Sequence, residues 1–194
     1  MNSKIDKKKT DKNILRDKIK KLRAGLSISE REEKDLLVYK NFMSLKILKE
    51  TEWIYIFASY GTEVDTLKII EVLLQSQGKK VALPRVSGKE MEFYEINSME
   101  DLKPGYNGIL EPVSDTKVLT CNGIMVMPGL VFDTYHGRIG YGGGYYDRYL
   151  YKHKEDNIFK VALAYDFQVL RTERIAMESH DICPDIIITE KVFL

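Results

Sequence analysis

The sequence predicts an α/β domain, a three-layer sandwich with a mostly parallel sheet, preceded by an N-terminal helical hairpin. Segments of helical spacing alternate with short apolar runs of strand length, the pattern of a sheet covered by helices. Runs such as Ile124-Met125-Val126-Met127 are apolar without alternation, as strands buried on both faces require. The connections are short, so residues 1–194 read as one domain.

Residues 1–10, with Lys4, Lys7, Lys8 and Lys9, read as a frayed basic arm. From about Asp11 the spacing of Ile14, Leu15, Ile19 and Leu22 predicts a helix with one apolar stripe, interrupted at Gly25. Ser29-Glu30-Arg31-Glu32 has the form of a capping box and opens a second helix carrying Leu36, Leu37, Tyr39, Phe42, Met43, Leu45 and Leu48. Trp53–Tyr60 is a strand-length run ending at Gly61. Asp65 is placed to cap a third helix, with Leu67, Ile70 and Leu74 on one face and Gly78 at the stop. Further strands are expected at Lys80–Val86, with Pro84 at its end or edge, and at Met91–Ile96, Gly123–Met127, Phe159–Tyr165 and Asp185–Thr189.

Thirty basic residues against 29 acidic ones leave a net charge of +1, which gives no electrostatic reason to expect nucleic acid or an anionic membrane as a partner. Cys121 and Cys183 lack metal-ligand or CxxC spacing and fit reduced thiols. No apolar run approaches the ~20 residues that span a bilayer. A cytoplasmic protein, monomeric or weakly homodimeric, is expected.

Most informative is Pro128-Gly129-Leu130-Val131-Phe132-Asp133, followed by Gly137-Arg138-Ile139-Gly140-Tyr141-Gly142-Gly143-Gly144-Tyr145-Tyr146-Asp147-Arg148. It follows a predicted strand and enters a helix at about Tyr145. Glycines there let the backbone approach a ligand, and amides before a helix N-terminus suit an anion. Arg138 is placed for a bidentate phosphate contact. Asp147, in the first turn, suits a magnesium ion that bridges phosphates. The stretch is neither a P-loop nor GxGxxG at a strand–helix junction. From composition alone a flexible surface loop with packed tyrosines stays open as the alternative.

With these residues the sequence resembles the 5-formyltetrahydrofolate cyclo-ligases, also called methenyltetrahydrofolate synthetases. Their signature has Pro-Gly-aliphatic-x-Phe-Asp and then Gly-x-Arg-aliphatic-Gly-x-Gly-x-Gly-Tyr-Tyr-Asp, matched here by residues 128–133 and 137–147. Lys12-Asn13-Ile14-Leu15-Arg16, residues 57–66, Leu83-Pro84-Arg85-Val86, residues 108–112 and His180-Asp181 are similar to further family landmarks. Cys183-Pro184 is the main departure.

The resemblance implies ATP held by Lys12, Arg16 and the loop Arg138, Ile139, Gly140, Tyr141, Gly142, Gly143, Gly144, Tyr145 and Tyr146. It implies magnesium (Mg2+) on Asp147 and Asp181, and folate held by Ala58, Glu63, Tyr141, Gly142, Gly143, Gly144 and Tyr145. Arg138, Tyr145 and Asp147 are the expected catalytic residues. The implied fold is like that of the sugar-phosphate isomerases and coenzyme A transferases. The implied reaction closes a ring on 5-formyltetrahydrofolate at the expense of ATP. Locally, Lys12 and Arg16 also read as a solvated stripe, Glu63 and Asp65 as helix-dipole partners, and the tyrosines as packing residues. An isomerase-like enzyme and an RNA-binding module remain as rivals.

Overall fold

The structure, a computed structural model, describes residues 2–119 and 122–194; Cys121 lies outside them. The N-terminal hairpin is α1 (Asn2–Ala24) and α2 (Ile28–Met43), followed by a short α3 (Lys46–Glu50). Then come β1 (Trp53–Tyr55), α4 (Leu67–Gln75), β2 (Lys80–Ser87), β3 (Glu90–Ile96), β4 (Leu102–Pro104) and β5 (Leu110–Pro112). The second half holds β6 (Gly123–Met127), β7 (Val131–Asp133), β8 (Arg138–Ile139), α5 (Tyr145–Lys152), β9 (Ile158–Leu163), β10 (Val169–Leu170) and β11 (Ile186–Ile188).

The main sheet has the order β11-β9-β6-β1-β2-β3. Every neighbouring pair is parallel except β2–β3 at the edge. Side chains alternate across it with a period of two. Ile54, Ile56, Val81, Leu83, Ile124 and Val126 face one way, against Val38 and Phe42 of α2 and Ile69, Ile70 and Leu73 of α4. Tyr55, Ala82, Met125 and Met127 face the other way, against Tyr146, Tyr149 and Leu150 of α5. Helices on both faces make the three layers, and they explain why these strands read as continuous apolar runs. A smaller sheet, β10-β7-β8, carries α1 through Ile19, packed with Leu130, Val131, Ile139 and Ile175.

Several elements differ in detail from the sequence expectation. The cap of α2 is Ser27, not Ser29: the Ser27 hydroxyl accepts from the Glu30 amide, and the Glu30 carboxylate takes the Ser27 amide in return. The expected long second helix breaks after Met43, and Leu48 belongs to α3. On α1, Ile14 (60% exposed) and Leu22 (45%) point outward. The buried stripe is Leu15, Ile19 and Arg23, at four-residue intervals. The helix begins at Asn2, earlier than its apolar stripe.

Strand β1 stops at Tyr55. After the Ile56 amide donates to the Ala82 carbonyl, the chain leaves the ladder and runs buried to Ala58. Pro84 lies beyond the stretch of β2 that pairs with β1, which ends at Ala82, so its missing N–H breaks no central ladder. Asp65 accepts from the amides of Leu67 and Lys68, which caps α4 one residue ahead of its assigned N-cap, Thr66.

Candidate functional site

Strand β1 has β2 on one side and β6 on the other, and the chain crosses from the first side to the second between β3 and β6. The β1/β6 boundary is therefore the point where strand order reverses. Crevices outside the carboxyl ends of parallel strands at such a point are where open α/β sheets bind ligands. The segment after β1 carries Ala58 and Glu63; the segment after β6 carries the glycine-tyrosine loop.

The Glu63 turn is held from α2. Arg31 donates to the Glu63 carbonyl at 2.9 Å, and Asp35 accepts from the Asp65 amide at 3.1 Å and from the Tyr165 hydroxyl at 2.7 Å. The Glu63 carboxylate closes its own turn by accepting from the Tyr60 amide at 2.8 Å. Ala58 is buried just before this turn.

The loop after β6 is organised by two buried charges. Asp133 accepts from the amides of Tyr135 and Gly137, both at 2.8 Å, and of Ile175 at 2.6 Å. Those bonds fix the β7–β8 turn. A Cβ on Gly137 would lie 2.5 Å from the Asp133 carboxylate, which explains the glycine. Arg138, 7% exposed, donates to the carbonyls of Pro128 (3.1 Å) and Ile182 (3.2 Å) and to Asp147 (2.5 Å). In this arrangement the guanidinium is turned inward and ties the loop to the C-terminal segment. Ile139 is buried in the small-sheet core.

Gly140 to Gly144 lead into α5, whose N-cap Gly144 has a φ of 65°. The Tyr145 hydroxyl donates to the Gly88 carbonyl in the β2–β3 hairpin at 3.3 Å. Tyr146 packs in the sheet core, and its hydroxyl is buried with no protein partner among the described residues. Burial, with the nearby Glu63 charge, pushes its ionisation far above the ordinary phenol range.

Helix α1 lies along the other side of the loop. Lys12 pairs with Asp181 at 3.1 Å, Arg16 donates to the Gly140 carbonyl at 2.8 Å, and Arg23 donates to the Tyr141 hydroxyl at 2.8 Å. Between helix and loop is a cleft of about 570 Å³ lined by Lys12, Asn13, Arg16, Lys20, Tyr141 and Gly142, among others. A larger concavity of about 830 Å³ lies around Trp53, Gly123 and Ile158, at the amino ends of the strands. The ion pairs Lys80–Glu52 and Lys160–Asp185 lie beside it. The smaller cleft is the better ligand site, because Lys12, Arg16 and Lys20 outnumber Asp17 and Glu178 in its lining and it sits at the carboxyl ends.

Asp147 meets the segment that carries Asp181 from a distant part of the chain. Asp147 accepts from the amide of Ile182, the residue after Asp181, at 3.0 Å. Burial raises the Asp181 carboxyl, but its bonds with the Glu178 amide and Lys12 outweigh this and hold its pKa below the usual value. Each carboxylate thus faces a protein cation and is partly open to solvent. Two such carboxylates fit magnesium, which commonly takes one or two carboxylates and fills its octahedron with water and phosphate oxygens. Among the described residues no cluster of three or more His, Cys, Asp or Glu side chains is arranged for a metal.

Cys183 is free, and burial pushes its thiol pKa up, which disfavours the nucleophilic thiolate. No helix among the described residues is long and apolar enough to cross a membrane.

Sequence reasoning did not single out Arg23, Arg31 or Asp35. Arg23 alone had a readable signal: it continues the Leu15–Ile19 stripe by four residues, where an apolar residue is expected.

Comparison with known proteins is consistent across the chain. The family model described as the 5-formyltetrahydrofolate cyclo-ligase family matches residues 8–190. The mitochondrial 5-formyltetrahydrofolate cyclo-ligase of Arabidopsis thaliana is 30% identical, over 92% of this chain and 73% of that protein. The Escherichia coli (strain K12) 5-formyltetrahydrofolate cyclo-ligase is 28% identical, over 90% of this chain and 98% of its own. The solved structure of Aquifex aeolicus 5,10-methenyltetrahydrofolate synthetase superposes with a TM-score of 0.81 at 34% identity, covering 94% of this chain and 91% of that one.

Proposed function

From the premise that this chain belongs to the 5-formyltetrahydrofolate cyclo-ligase family, we propose that it consumes ATP, with magnesium, to convert 5-formyltetrahydrofolate into 5,10-methenyltetrahydrofolate, releasing ADP and phosphate. The observation that carries this reading is the cleft between α1 and the glycine-tyrosine loop, beside the contact of Asp147 with the Asp181–Ile182 segment.

In this reading Lys12, Arg16 and the loop from Gly140 to Tyr145 receive the nucleotide, while the inward-turned Arg138, Ile139 and Tyr146 support that loop from behind. The triphosphate meets the ammonium of Lys12 and the amides ahead of α5, where the helix dipole favours negative charge. Asp147 and Asp181 are the residues that would hold magnesium, and the ion would supply positive charge against the phosphates. Arg138 acts by keeping Asp147 and the Ile182 carbonyl in place. Ala58, Glu63 and residues Tyr141 to Tyr145 receive the folate, and the Tyr145 ring is available to stack on the pterin.

The chemistry needs no covalent protein intermediate. The formyl oxygen attacks the γ-phosphorus and the bond to the ADP oxygen breaks. The anilino nitrogen then attacks the activated formyl carbon and loses its proton, and the carbon–oxygen bond breaks to release phosphate. Such a sequence rests on positioning and charge neutralisation rather than on a nucleophile. That suits a site rich in cations, amides and carboxylates, whose nearby thiol has a raised pKa.

The test is to follow methenyl product by absorbance with ATP and magnesium each present or omitted, with Asp147→Asn in parallel. Product is expected only with both. The variant should lose several kcal/mol of stabilisation, roughly 100-fold or more in rate. No product from folded wild-type protein would overturn the reading.

A further inference from the structure

Arg23 is 5% exposed at the end of α1, far below what an arginine tolerates without partners. Its partners lie on both sides of the folate half of the site. Nη1 donates to the Tyr141 hydroxyl at 2.8 Å, and Nε donates to the Thr62 hydroxyl, next to Glu63, at 3.2 Å. The Glu63 carboxylate lies near the Tyr141 hydroxyl. With Arg23 donating to it, the phenol keeps its one proton to offer toward the Glu63 side. Burial of the hydroxyl, with Glu63 beside it, pushes the phenol far above its ordinary range and keeps that proton in place. The Tyr141 ring itself is 46% exposed, so the side chain reaches from the cleft surface inward to this relay.

We propose that Arg23 is a positioning residue for the folate half of the site: through the Tyr141 hydroxyl and Thr62 it sets where the Glu63 carboxylate stands, without touching either substrate. The inference rests on the reading of function above. Lys12 and Arg16 bind Asp181 and the Gly140 carbonyl, on the nucleotide side; of these three α1 cations, Arg23 is the one joined to the Glu63 turn. Losing it leaves the Tyr141 and Thr62 hydroxyls without their donor and loosens both sides of the folate half.

The experiment measures kcat and the KM of each substrate, with thermal melts, for wild type, Arg23→Met, Arg23→Lys, Tyr141→Phe and the Arg23→Met/Tyr141→Phe double variant. Arg23→Met should raise the KM for 5-formyltetrahydrofolate about tenfold or more, since it removes the charge-assisted hydrogen bonds to both Tyr141 and Thr62. The KM for ATP should stay within about threefold. Arg23→Lys should recover part of the loss. The double variant should be no worse than Arg23→Met alone, because both changes break the same relay. If Arg23→Met does not fold, Arg23→Lys still decides, since it should raise the folate KM selectively.

A lower melting temperature with both KM values unmoved would overturn the inference and leave Arg23 a structural residue. So would a change confined to the ATP KM. Wild-type protein that makes no methenyl product would sink the reading of function itself, a result distinct from normal wild-type turnover with unaffected Arg23 variants.

Discussion

Asp35 of α2 accepts from Tyr165 and from the Asp65 amide and lies 3.7 Å from Arg31. Burial dominates and raises its pKa, although these hydrogen bonds and Arg31 pull the other way. The folded state therefore binds the Asp35 proton more tightly than the unfolded chain does. This contribution to stability is present at low pH and is lost as pH rises from the usual 3.8 through the higher folded value. Asp35→Asn removes that dependence while keeping an acceptor oxygen. Urea melts at a series of pH values from 4 upward should show the variant gaining stability relative to wild type as pH rises, then levelling off. Parallel curves would overturn this. Glu63, Asp147 and Asp181 could be named from the sequence because they sit in recognisable motifs. Asp35 and Arg31 could not: nothing local distinguishes them from a solvated i,i+4 pair, and only the packing of α2 against the Glu63 turn gives them their role.

The helix starts and strand ends show where local pattern is sufficient and where it is ambiguous. Both Ser27 and Ser29 precede a glutamate by three residues, so the capping-box pattern occurs twice in succession. The tie is broken by backbone geometry: Ser27 is extended, with φ −65° and ψ 160°, and Ser29 lies inside the first turn. Ser27→Ala should cost about 1 kcal/mol in denaturant melts. Ser29→Ala should stay within about 0.5 kcal/mol. The reverse ranking would mean that α2 starts later. Strand β6 was legible to the residue because it is apolar throughout and buried on both faces. Strand β1 was read too long, because Ile56 to Ala58 stay buried after leaving the ladder, and burial, not pairing, is what apolar composition reports.

Across the whole molecule, the site is closed by contacts between the two ends of the chain: Lys12 reaches Asp181 over a separation of 169 residues, and Arg23 reaches Tyr141 over 118. If nucleotide bridges α1 to the loop, tryptic cleavage within α1 should slow about tenfold at Mg-ATP ten times its Kd, by linkage of binding to local opening. Equal cleavage with and without Mg-ATP would show that α1 docks independently of nucleotide. By itself the sequence determined the α/β class, the positions of most strands and helices, the glycine-tyrosine loop and, through its motifs, the family. Those features are local: periodicity, turn chemistry and backbone freedom are written in neighbouring residues. Only the tertiary structure decided the switch point between β1 and β6, the inward turn of Arg138 and the burial of Arg23. The physical reason is that a charge is placed by the partners that compensate its desolvation, and here those partners come from other elements, 9 to 118 residues away in sequence.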